Sequence, residues 1–238
     1  MATNTAPNSG IRVPAEPLCT FVSALFEQAG MPTEDAALMG SILVDSDMRG
    51  IFSHGTQMAP AYIDKLLDGS INPRPNIRFI REAGSIRVLD GDGGLGHLAC
   101  RRGTEWAVDE AKRTGLAAVT TRNHHHVGAA GSYARMAVER DCIGMVISSR
   151  RIGLDRNMSV RAAHPSSPIS IAVPANREPA LVMDQGVWLP WDERFFEQHP
   201  FVYFKDLALG SVLQAMGGIL AGIYQSELQP AESRWPSD

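Results

Sequence analysis

The stretch "VLDGDGGLGH", Val88 to His97, decides how this chain is to be folded. Gly91 to Gly96 fit G-x-G-x-x-G, follow a strand-like pattern and open a helix-like one. In a dinucleotide-binding fold such a turn brings backbone N–H groups to a pyrophosphate at a helix N-terminus. Here, however, the preceding strand reads as half of a hairpin. "IRFIRE" and "SIRVLD" both alternate apolar and polar residues, with "AG" as the turn between them. The acidic Asp109 and Glu110 fall inside the following helix, not at the end of a second strand. A glycine turn with positive φ is the better reading.

Upstream, Leu18, Phe21, Val22, Leu25 and Phe26 recur at helical spacing, and Gly30 is a natural stop. Pro32-Thr33-Glu34-Asp35 opens a second helix to about Met48, and "QMAPAYIDKLLDG" is a third, ending at Gly69. "NPRPN" is a rigid connector and a domain boundary. Downstream come a helix at about 97–114, the short buried strand "LAAVTT", a histidine loop and a helix at about 129–140. The strands "IGMVIS", "ISIAVP" and "ALVMD" follow. The expected class is α/β (α+β): a helical segment at 1–72 and a sheet domain at 73–204. A C-terminal helix within 205–238 is expected to pack on the helical segment.

The chain has 238 residues, 44% hydrophobic and 20% charged, enough to bury a core. A formal net charge of -4 gives no basic field for nucleic acid or an anionic membrane. Cys19, Cys100 and Cys142 are scattered and odd in number, which suits a reducing, cytoplasmic setting. "MATNTAPNSG" lacks the basic and apolar regions of a secretory signal. "LALGSVLQAMGGILAGIY", Leu207 to Tyr224, contains Ser211 and Gln214 and reads as a closely packed buried helix, not a membrane span.

Two segments carry chemistry. In "RNHHHVGAAG", Arg122 to Gly131, extended geometry puts His124 and His126 on one face and His125 on the other, where it reads as a solvated loop histidine. Zinc needs three or four protein ligands, and His54, His97 and His164 stand in no ligand motif, so no metal is expected. A histidine near its ordinary pKa can instead pass a proton at physiological pH. In "DSDMRGIFSHGT", adjacent side chains generally point apart, so Ser53 and His54 are not a nucleophile–base pair, and Ser53 reads as a helix cap. Arg49 suits a two-pronged carboxylate contact, or a pair with Asp45 one turn back.

"DMRGIFSHG", "YIDKLLDGSINPRP", "VLDGDGGLGH", "TRNHHHVGAAGSYARMA" and "IGMVIS" together resemble the malate/L-lactate dehydrogenase family. The likeness runs from about Leu18 to Ser148. It implies a non-Rossmann sheet fold, a homodimer, NAD or NADP as cofactor, and hydride transfer to or from a small 2-oxo, 2-hydroxy or imino acid. The family's R-N-x-x-H-F-G segment falls on Arg122, Asn123, His126, Val127 and Gly128. This makes His126 the proton-transfer residue and places Arg122 and Asn123 on the substrate. Its S-H-G motif falls on Ser53, His54 and Gly55, which adds His54 and Ser53 to the catalytic set. Arg49 matches an arginine that holds substrate carboxylate. Asp184 and Lys205 are the candidate cofactor contacts.

The chain also departs from the family pattern. After Asp184 it reads "VMDQGVW" where a serine-rich segment is expected, a long central stretch is missing, and 149–168 carries a different loop. In "FKDLALGSVLQAMGGILAG", Asp206 and Ala208 stand where glycines are expected. An aspartate there adds bulk and negative charge against a phosphate-bearing ligand. The alternative expectation is therefore a truncated, non-catalytic relative that keeps the proton-transfer half without the cofactor site.

Overall fold

The computed structural model describes residues 11–149, 156–157, 167–187 and 189–222. The N-terminal decapeptide, most of the 149–168 loop with His164, and the tail from 225 lie outside them.

Three helices open the chain: α1 (Ala15–Gln28), α2 (Thr33–Met48) and α3 (Ala59–Leu67). Gly30 ends the first turn region in the left-handed conformation, as its position predicts. Of the five apolar residues named at helical spacing on α1, Val22 and Phe26 are buried, whereas Phe21 and Leu25 are exposed. The covered face is narrower than the spacing suggested because α1 packs chiefly on α2.

The first sheet holds β1 (Arg78–Ala83), β2 (Ile86–Gly94) and β3 (Ala118–His124) in that order. β1 and β2 form the predicted antiparallel hairpin. β2 also pairs in parallel with β3, and α4 (Gly96–Thr114) is the crossover between them. The glycine turn therefore lies in a βαβ unit after all, which the alternating pattern of the hairpin had hidden. Its register shifts between Asp90 and Gly94, so the glycines form a bulge that realigns Gly94 with His124.

The second sheet is an antiparallel meander of β4 (Gly144–Ile147), β5 (Ser167–Val173) and β6 (Leu181–Val187). Helix α5 (Ala130–Val138) packs on this sheet and also touches α4. Two small sheets with antiparallel pairs make a mixed α/β fold, not the single parallel sheet of a doubly wound domain.

One core joins the helical segment to the first sheet, with Phe26, Met39, Leu43, Tyr62, Leu89 and Leu98 buried together. The expected boundary at 72/73 is thus not a division of the core. Asp92 ties the connector to the glycine bulge by accepting from Asn76 N at 2.8 Å and Asn72 Nδ2 at 3.2 Å.

The C-terminal region brings two corrections. A short α6 (Glu193–Gln198) and α7 (Pro200–Gln214) follow β6. α7 packs on β5 and β6 instead of the N-terminal helices, with Leu213 set among Ile169, Ile147 and Ile171. It also begins before Leu207, and Leu209, Val212, Met216, Ile219 and Leu220 are exposed, so the expected buried helix has only one covered side. No helix among the described residues is long and apolar enough to cross a membrane.

Candidate active site

After α2 the chain turns through two short 3-10 segments, Phe52–His54 and Thr56–Met58. Asp47 anchors them, accepting from Thr56 N at 3.0 Å and Thr56 Oγ1 at 2.5 Å. In this tight turn Ser53 Oγ lies 2.8 Å from His54 Nδ1. The expectation that these neighbours point apart is therefore corrected, and Ser53 is the N-cap of none of the neighbouring helices. The reason is local, since a 3-10 turn does not splay adjacent side chains as a strand does.

The histidine segment reaches the same place from β3. His125 N donates to Gly94 O at 2.9 Å, and Gly96 N donates to His126 O at 3.2 Å. A Cβ on Gly96 would meet His125 O at 2.3 Å. The first N–H of α4, that of Gly96, is thus taken by a carbonyl of the histidine segment. Beyond His126, the buried Tyr133 hydroxyl donates to Val127 O and holds the loop.

The three histidines have different surroundings. His124 is half-buried, with Nδ1 2.8 Å from His125 O and Nε2 2.9 Å from Thr121 Oγ1. Burial lowers its pKa. His125 is only 3% exposed, so the solvated-loop reading is corrected; the backbone pairing with Gly94 draws it inside. His126 stacks on His54, with ring centroids 5.5 Å apart. Its Nδ1 lies 2.6 Å from the hydroxyl of Tyr62.

Tyr62 and His97 complete the cluster. Burial holds the Tyr62 phenol well above its ordinary pKa, so it keeps its proton. His97 is fully buried, edge-on to Tyr62 at 5.4 Å and to His126 at 6.3 Å. Burial pulls its pKa down to about 3, with like charges on His126, His54 and His124 adding to the effect. Gly128, at φ 74°, makes room for it, because a Cβ there would lie 2.5 Å from His97 Nε2. His54 is also shifted down by burial, and the Asp184 carboxylate opposes that shift.

Sequence reasoning missed Tyr62. It sits on α3 one turn before Leu66, where helical spacing marks it as core. Nothing local says that its hydroxyl reaches a histidine in a distant loop.

The remaining candidates are engaged elsewhere. Arg49 Nε contacts Asp45 Oδ2 at 2.7 Å, and both groups are half-exposed. Arg122 and Asn123 turn to Asp90 on β2, at 3.5 Å and 2.9 Å. Among the described residues, no group of three or more His, Cys, Asp or Glu is placed to hold a metal ion.

The family model for Malate/L-lactate dehydrogenase matches residues 13–187, which include every residue of this cluster. The chain belongs to that family. It is 37% identical over 172 residues to a malate dehydrogenase of Pyrococcus horikoshii, covering 72% of this chain and 48% of that protein. It is 35% identical over 153 residues to an L-sulfolactate dehydrogenase of Methanocaldococcus jannaschii, covering 64% of this chain and 44% of that protein. The chain thus spans about half the length of the curated relatives it matches. The solved malate dehydrogenase of Pyrococcus horikoshii OT3 superposes with a TM-score of 0.74 at 30% identity, over 89% of this chain and 68% of that one.

Family membership raises the question of a nicotinamide cofactor. Asp184 Oδ2 accepts from Gly131 N at 3.0 Å, at the start of α5. Lys205 Nζ lies 5.7 Å over the Phe201 ring on α7, and Asp206 accepts from Leu189 N at 3.2 Å. These are separate internal contacts. Asp184 and Lys205 lie on β6 and α7, two elements that pack against each other.

Proposed function

We propose that this chain is an oxidoreductase of the malate/L-lactate dehydrogenase type, acting on a small 2-oxo or 2-hydroxy acid, with His126 as its proton-transfer residue. One observation carries the reading: His126 is held by Tyr62 at one ring nitrogen and stacked on His54, which itself contacts Ser53. When a 2-oxo acid is reduced, its oxygen gains negative charge and needs a proton. A positioned imidazole supplies one at physiological pH, and takes it back in oxidation. Stacked His54 and Ser53 orient the pair, while Asp184 places a negative charge near His54.

Arg49 is the proposed carboxylate anchor, and a substrate would share its guanidinium with Asp45. Arg122 and Asn123 are proposed to support the substrate side indirectly, through their hold on Asp90. The names of the two relatives favour malate- or sulfolactate-like acids. The hydride partner is proposed to be NAD or NADP, with Asp184 and Lys205 as its candidate contacts. A cytoplasmic homodimer completes the proposal; it would cover apolar residues that α7 leaves exposed.

A second reading, the non-catalytic relative, follows from the departures from the family pattern after Asp184, with Asp206 and Ala208 where glycines are expected. Titration with NADH and NADPH, followed by nicotinamide fluorescence, separates the two. Saturable binding together with oxidation of the cofactor by 2-oxo acids supports the enzyme. No binding at millimolar cofactor leaves the non-catalytic relative.

A further inference from the structure

The Tyr62–His126 contact links α3 to the end of the histidine segment and is part-buried. Tyr62 is 4% exposed, and the His97 ring that faces both partners is 0% exposed. Among the described residues, His126 is the one hydrogen-bond partner of the Tyr62 hydroxyl. The adjacent His97 offers no alternative, since neither of its ring nitrogens hydrogen-bonds to any described residue. A largely buried hydroxyl directs its proton to the acceptor it has.

We infer that Tyr62 is a positioning residue: its phenol engages Nδ1 of His126 and confines proton exchange with the substrate to Nε2. The inference rests on His126 being the proton-transfer group. In the substrate-free protein with a neutral ring, the phenol donates to Nδ1 and the ring proton sits on Nε2. When solvent supplies a second proton to the ring at the part-buried Nδ1, the phenol O–H rotates and its oxygen accepts from Nδ1–H. Reduction then moves the Nε2 proton to the substrate oxygen, leaving a neutral ring that donates from Nδ1 to Tyr62 until product leaves and exchange with solvent restores the Nε2–H form. Oxidation returns the proton to Nε2. A phenol can hold Nδ1 in all of these states because it both donates and accepts, whereas a carboxylate could only accept. Its raised pKa keeps the phenol from losing its own proton during the exchange.

The test compares the full chain with Tyr62→Phe, which removes one oxygen from a buried ring and keeps its shape. Long-range proton–nitrogen spectra of the histidines are recorded above the titration of His126, whose signals are assigned with His126→Asn. In the wild type, Nε2 should carry the proton and Nδ1 should resonate as a hydrogen-bonded acceptor. In Tyr62→Phe, Nδ1 should move to the position of an unbonded acceptor, while the thermal melt stays cooperative. An Nδ1 resonance unchanged by the substitution, or a wild-type ring protonated at Nδ1, overturns the inference. These spectra need no cofactor, so they stand even if the oxidoreductase reading fails. Where turnover is measurable, kcat should fall about tenfold or more with KM unchanged within about twofold, the pattern of a group acting on the reaction and not on ground-state binding. A rise in KM with kcat intact would instead make Tyr62 a substrate-binding residue.

Discussion

His54 and His126 lie far apart in the chain, yet their rings stack with centroids 5.5 Å apart and an interplanar angle of 30°. One comes from a 3-10 turn anchored by Asp47, the other from the loop held by Gly94 and Gly96. The core shared by the helical segment and the first sheet is what places these two turns side by side.

Replacing His126 by alanine should lower turnover of 2-oxo acids by about a hundredfold or more, the usual range for a positioned acid–base group. Steady-state rates with both cofactors check this. Retained turnover removes His126 from the mechanism.

Stability should fall in mild acid because of His97. Its folded value is near 3 against an ordinary 6.5, so the unfolded chain binds the proton first. The contribution is fully present above about pH 6.5 and is lost as pH falls from there toward about 3, at up to about 1.4 kcal/mol per pH unit for one site. His97→Asn, which does not titrate, should flatten melting temperature against pH over that window. An unchanged slope would point to other groups.

Asp184 favours the charged form of His54 against burial. In Asp184→Asn, His54 should therefore titrate at a lower pH than in the wild type, as followed by the proton spectrum of its ring. Asparagine can still accept from Gly131 N, so loss of the charge at the start of α5 should weaken folding by only about 0.3–1 kcal/mol. A His54 titration that stays in place or moves upward contradicts this electrostatic role.

Gly128→Ala combines a positive φ with a Cβ 2.5 Å from His97 Nε2. Denaturant unfolding should show a loss of about 1–3 kcal/mol, as expected for strain at a special backbone position. Because His97 is wedged against Tyr62 and His126, the His126 signals should shift as well. A neutral substitution would mean that the loop relaxes freely.

Local order was legible in the sequence wherever neighbours a few residues apart carry the signal. The limits of α2, the β1–β2 hairpin and the glycine turn followed from periodicity and turn chemistry, and the motifs of the histidine and S-H-G segments identified the family. Resemblance to the family's R-N-x-x-H-F-G segment singled out His126 among the three histidines. What only the tertiary structure decided were relations between distant segments. These include the parallel pairing of β2 with β3, the burial of His125, the packing of α7 on the second sheet and the Tyr62–His126 bond. Periodicity reports which face of an element is apolar, but not what covers it. A hydroxyl on a core-facing tyrosine meets a ring nitrogen only when α3, α4 and the histidine segment close over one interior, and that closure depends on the whole packed core.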